Sequence, residues 1–184
     1  MKHLFSINTE GGPLLCLDAR AATGWKGCEA GSTDYENLCA RLNAQPELAA
    51  TVFTVGERSA VAWEMSGPGT ADVFETDEGR IRIVRAWLDE DRAEEIEQLA
   101  SADASSNQNL GEIEIPSGLL AVLWAPESGQ KIPLSTERDV QRVPGTSIDD
   151  SAFVLKVPSR RFRCAHDEVR VGAALARRLT LIPA

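Results

Sequence analysis

The chain is short of most things that would announce a chemistry. Its 184 residues include only two histidines, His3 and His166, four cysteines and ten aromatic side chains. No G-x-x-x-x-G-K-[ST] or G-x-G-x-x-G phosphate loop is present, and neither H-E-x-x-H nor G-x-S-x-G occurs. Long apolar runs are lacking too. The longest, Leu119 to Pro126, is too short to cross a bilayer, and the apolar stretch Leu4 to Ile7, broken by Ser6, is too short for a signal peptide. The default address is the cytoplasm, and no membrane partner is expected. Cys16, Cys28, Cys39 and Cys164 form no C-x-x-C pair, so four reduced thiols are expected. Cys164-x-His166 supplies two metal-type side chains without a second pair, and the simple reading is a core thiol and a strand-end imidazole. No enzyme, metal or cofactor is expected.

What is abundant is acid. Nineteen Lys and Arg face 28 Asp and Glu, a formal charge of −9, at an ordinary 43% hydrophobic and 26% charged. The distribution is uneven: residues 1–130 carry 9 basic and 22 acidic side chains, residues 131–184 carry 10 and 6. Such a body does not suit nucleic acid as a partner but does suit a basic protein.

The pattern implies an α+β protein, mainly antiparallel sheet with two principal helices. Leu14 to Leu17 reads as a buried strand after the Gly11-Gly12-Pro13 turn. A helix over 34–42 follows: Thr33 and Glu36 have capping-box spacing, and Tyr35, Leu38, Cys39 and Leu42 share a face. Hairpins are expected for Thr51–Val55 with Ser59–Trp63, for Ala71–Thr76 with Arg80–Trp87, and for Gly111–Ile115 with Gly118–Trp124. In the second, Ile81, Ile83 and Arg85 point one way and Arg80, Arg82 and Val84 the other. A second helix is expected over 92–100, preceded by Asp89, Glu90 and Asp91, which favour the positive end of its dipole. Beyond Gly129 short strands are expected at 151–157, 161–165 and 169–171, while 173–182 fits helix or strand. Residues 1–128 read as an α+β body and 129–184 as a β-rich C-terminal lobe packed on it as one unit. Trp63, Trp87 and Trp124 are expected to be buried.

One order of residues is specific beyond periodicity. Gly11-Gly12-Pro13-Leu14-Leu15 is followed by Trp25-x-Gly27 and then by Asp34-Tyr35 with Cys39 four residues on. This order resembles the Immunity protein 21 family of bacterial polymorphic toxin systems. Arg85 to Trp87 before an acidic helix start, Gly118 to Leu123, and Arg178-Leu179 resemble further parts of that family. The resemblance implies a cytoplasmic protein, monomeric or weakly dimeric, that binds and neutralises a cognate toxin domain. The alternative is a non-enzymatic binding or scaffold module unrelated to toxins. Gly11, Gly12, Pro13, Trp25, Gly27, Asp34 and Tyr35 read as residues that hold the fold. The toxin is expected at the densest acid, residues 64–114, with 14 acidic and 4 basic side chains. There Asp72, Glu75, Asp77 and Glu78 surround a hairpin, and Asp89, Glu90, Asp91 and Glu94 open a helix. A field of this sign suits a basic nuclease.

Overall fold

Side chains that alternate between buried and more exposed along residues 2–9 and 161–171, and two strands buried at every residue, describe a sheet protein covered on several sides. In the computed structural model, which describes residues 1–44, 49–87, 93–103, 107–144 and 150–184, the chain begins with β1 (Lys2–Thr9) and β2 (Pro13–Asp18), followed by the single turn α1 (Ala19–Ala22) and by α2 (Asp34–Asn43). Next come β3 (Ala50–Val55), β4 (Arg58–Glu64), β5 (Gly69–Glu75) and β6 (Ile81–Trp87), then α3 (Ala93–Ser101). The remaining strands are β7 (Gln108–Glu114), β8 (Leu119–Trp124), β9 (Val140–Val143), β10 (Ala152–Lys156), β11 (Arg161–Val171) and β12 (Ala174–Pro183).

The strands form two six-stranded antiparallel sheets, in the orders β1-β5-β6-β12-β11-β7 and β3-β4-β2-β8-β10-β9. Their facing sides make the main core. Ile7, Val73, Ile83, Phe162 and Leu181 of the first sheet meet Leu14, Trp63, Val122 and Leu155 of the second, and Phe5 stacks on Phe153 at 4.0 Å between them. Helices cover both outer faces. Leu38 and Leu42 of α2 and Ala19 and Ala22 of α1 pack on Leu15, Ala62, Ala121 and Val154. Leu99 and Ala100 of α3 pack on Phe74, Val84, Val169 and Ala176. The layers therefore run helix, sheet, sheet, helix. This explains why β2 and β8, central in their sheet and covered on both faces, are buried throughout.

The mainly antiparallel architecture and both longer helices agree with the sequence pattern; the second helix is described from Ala93, and Arg92 lies outside the described residues. Several finer expectations are corrected. Thr33 makes no side-chain cap to α2; the hydroxyl of Ser32 accepts from the Asp34 N–H instead. The hairpin expected across Pro116-Ser117 does not form. β7 pairs with β11 in one sheet and β8 with β2 and β10 in the other, so this turn carries the chain between sheets. Asp18 holds the crossing by accepting from the Ser117 N–H at 2.8 Å. Strands expected at 161–165 and 169–171 are one continuous strand, β11, and the ambiguous end is β12. Trp63 and Trp124 are buried, but Trp87 is only partly so, flanked by the guanidinium groups of Arg85 and Arg177 at 5.7 and 5.6 Å from its ring centre. The strands after residue 128 join both sheets: β10 lies between β8 and β9, and β12 between β6 and β11.

Candidate interaction surface

Strand alternation separates the acids that the sequence groups together. Asp72 stands on the outer face of its sheet, the side of Phe74 and α3, and is engaged: the Ser6 hydroxyl donates to its Oδ1 at 2.6 Å, and His3 Nε2 lies 3.0 Å from the same oxygen. Glu75, three residues on, faces the opposite side, at the open end between the sheets with Lys2 and Lys156. Asp77 and Glu78 form the hairpin tip. Asp77 is almost fully exposed, 3.6 Å from the terminal amine of Met1, and Glu78 pairs with Arg80. The hydroxyl of Ser101 contacts Met1, so this tip lies by the C-terminal end of α3. Glu94 and Glu97 are exposed on α3 itself, with Glu94 toward the other end of a helix of roughly 13 Å. Asp89, Glu90 and Asp91 lie outside the described residues. The structure thus brings Asp77 and Glu78 to one end of α3, leaves Glu94 near the other, and turns Asp72 and Glu75 to opposite faces of one sheet.

The motif residues, by contrast, converge. Trp25 is buried and its indole N–H donates to the Ala125 carbonyl at 2.8 Å, while its ring meets Phe53 edge-on. Gly27 has φ +54°, and a Cβ there would lie 2.2 Å from the Pro126 carbonyl oxygen, so the backbone fits against β8's exit only as glycine. The next residue, Cys28, donates its N–H to that same carbonyl. Asp34 accepts from the Lys26 N–H at 2.9 Å and ties the loop to the first turn of α2. Tyr35 lies over Gly12, where a Cβ would meet its hydroxyl at 2.6 Å. Burial, and then a hydrogen bond with Cys39, push the Tyr35 phenol up to about 12. Residues spread over positions 11–39 thus form one packed corner.

A third cluster was missed by sequence reasoning. Arg178 of β12 is buried, yet faces the outer side of its sheet. Its Nε donates to Asp167 Oδ1 at 2.7 Å, and Nη1 reaches the carbonyl oxygens of Leu99, Ala100 and Ala102 at 3.0, 3.3 and 2.6 Å. Arg82 of β6 adds a bond to the Ala100 carbonyl. Two arginines therefore satisfy the carbonyl groups that end α3, the negative end of its dipole. The signal in the sequence is slight: Arg82 shares a face with Val84, and Arg178 registers against Val84 across the strand pair.

Between the sheets, the indole N–H of Trp63 and Nε2 of His166 are both buried without a hydrogen-bond partner among the described residues, their rings 6.3 Å apart. Burial lowers the pKa of His166, opposed by Asp167 and Glu168 and aided by Arg177. Cys164, two residues away, is a buried thiol pushed up to about 12 by desolvation, and none of the four cysteines is bridged. No helix among the described residues is long and apolar enough to cross a membrane. Compared with protein-family models, curated proteins and solved structures, the chain matches none.

Proposed function

We propose that this chain is a cytoplasmic immunity protein that binds a cognate polymorphic toxin domain, basic and of nuclease type, and neutralises it as a one-to-one complex without turnover and without a cofactor. The observation that carries this reading is the motif corner. Gly12, Trp25, Gly27, Asp34 and Tyr35, picked out by the resemblance to the Immunity protein 21 family, pack against one another and against the end of β8. A shared scaffold is what a family motif of Gly and large aromatics is suited to fix, leaving the surface elsewhere free to fit different toxins. The exposed carboxylates Asp77, Glu94 and Glu97, on a chain of formal charge −9, support a basic partner.

The test is co-expression with the toxin domain encoded beside this gene. Protection of the host and co-purification of the two chains at equal stoichiometry are expected. Undiminished killing, with both proteins present and folded, overturns the reading.

A further inference from the structure

The four cysteines fall into two pairs by place. Cys16 and Cys164 are buried between the sheets. Cys28 is exposed on the loop before α2, and Cys39 is partly exposed on α2 itself. Both stand at the motif corner, where a dissolved reagent can meet them. The packing of that corner engages Cys28 through its backbone N–H and gives its thiol no structural task.

Backbone contacts draw the two thiols to one place. The Cys28 N–H donates to the Pro126 carbonyl at 2.9 Å, and the Lys26 N–H donates to the Asp34 carboxylate at 2.9 Å, which lays the loop along the first turn of α2. Cys39 follows Tyr35 by four residues, on the same side of the helix, and its side chain hydrogen-bonds the Tyr35 phenol. The Cys28 thiol stands at the same group. Burial raises its pKa, and then the neighbouring Cys39, Glu36 and Glu127 raise it further, while Tyr35 feels the charge of both thiols. Cys28, Cys39 and Tyr35 therefore form one cluster of side chains between loop and helix. Glu36 and Glu127 keep Cys28 mainly protonated, so a first attack by its thiolate is slow; the neighbouring Cys39 makes a second, intramolecular attack fast.

We propose that Cys28 and Cys39 form a reversible disulfide between the loop and α2, by exchange with a small-molecule disulfide such as oxidised glutathione. Cys28, the exposed member, loses its proton to water and attacks one sulfur of that disulfide, expelling a first thiolate. Cys39 then loses its proton and attacks the Cys28 sulfur of the mixed adduct, expelling the second. Two protein thiols are oxidised to one S–S bond, the incoming disulfide is reduced to two thiols, and the two protons reach the expelled thiolates through water. The bridge joins a loop and a helix already held together by Trp25, Gly27 and Asp34, so it forms without strain and stabilises the chain. Toxin binding plays no part in it.

The experiment incubates the whole, fully reduced protein with oxidised glutathione at mildly alkaline pH and reads its intact mass. The remaining thiols are then blocked in denaturant and the chain is mapped by peptide. The expected product is lighter than the reduced chain by two hydrogens, keeps only the thiols of Cys16 and Cys164, links the peptides of Cys28 and Cys39, and returns to the reduced mass with dithiothreitol. Its melting midpoint should lie above that of the reduced chain. Cys39→Ser should stop at a stable glutathione adduct on Cys28, and Cys28→Ser should yield no bridge. If either variant does not fold, the peptide map of the natural chain decides alone. A glutathione adduct that persists on Cys28 of the natural chain, a bridge to Cys16 or Cys164, or retention of all the thiols overturns the proposal. So does a bridged chain that melts no higher than the reduced one, because the corner would then not accept the bridge unstrained.

Discussion

Arg178 and Asp167 are 2% and 3% exposed, so each depends on the other for its charge to be tolerated. Replacing Arg178 by Met leaves Asp167 buried and uncompensated and also removes one of the two arginines that donate to the end of α3. The expected loss in urea unfolding is about 3–5 kcal/mol, and the double variant Arg178→Met with Asp167→Leu should recover much of it, since two buried charges then disappear together. An arginine in a strand near a chain end ordinarily reads as solvated, which is why this pair was illegible in the sequence; its burial depends on where a helix 77 residues earlier comes to rest. His166 makes a second test. Desolvation places its folded pKa below the unfolded value near 6.5, so above that value both states are neutral and it contributes nothing to pH dependence. As pH falls through 6.5 the unfolded chain takes up the proton first, and stability declines until the folded pKa is passed. Arg177 reinforces this and Glu168 and Asp167 oppose it. Unfolding curves between pH 7.5 and 5.5 should show the decline in the natural chain and a shallower one in His166→Gln; equal slopes would contradict the assignment.

Among the elements, the loop before α2 depends on two different glycines. Gly31 has φ +82° and open space around it, whereas Gly27 combines φ +54° with close approach to the Pro126 carbonyl. Gly31→Ala should cost about 1 kcal/mol for its left-handed backbone, and Gly27→Ala more than about 2 kcal/mol, because the neighbour there is backbone and cannot turn aside. Comparable melting temperatures for the two would show that the packed corner matters little. The hairpins β3–β4 and β5–β6 were legible because alternation and Gly-containing turns fix both register and connection. The turn at Pro116-Ser117 looks similar in sequence, yet separates strands of different sheets. What distinguishes it is composition: Leu119–Trp124 is apolar at every position and demands cover on both faces, while Gln108–Glu114 is mostly polar and suits an edge. β1 escaped notice because a register shift between His3 and Phe5 breaks its period of two. The partners of β11 and β12 lie far back in the chain, at β7 and β6, and no local pattern encodes such pairings.

Over the molecule as a whole, the acids of the expected toxin surface that lie among the described residues do not all face one way, and Asp89, Glu90 and Asp91 lie outside them. Asp72 is engaged with Ser6 and His3, Glu78 with Arg80, and Asp77 with the terminal amine, while Glu94 and Glu97 are exposed on α3. If these steer a basic toxin, Glu94→Lys with Glu97→Lys should slow association several-fold at low salt and change dissociation little, and raising ionic strength should erase the difference. Stopped-flow association at two salt concentrations measures this directly; rates indifferent to both would remove the electrostatic account and leave the immunity proposal untouched. The proposed immunity function rests on inhibition by binding rather than by turnover, and a titration of toxin activity separates the two. Residual activity of the cognate toxin domain that this proposal requires, measured after equilibration with increasing molar equivalents of this protein, should fall linearly and reach zero at one equivalent. Time-dependent inactivation by a small fraction of an equivalent, or full activity at any excess, would contradict it.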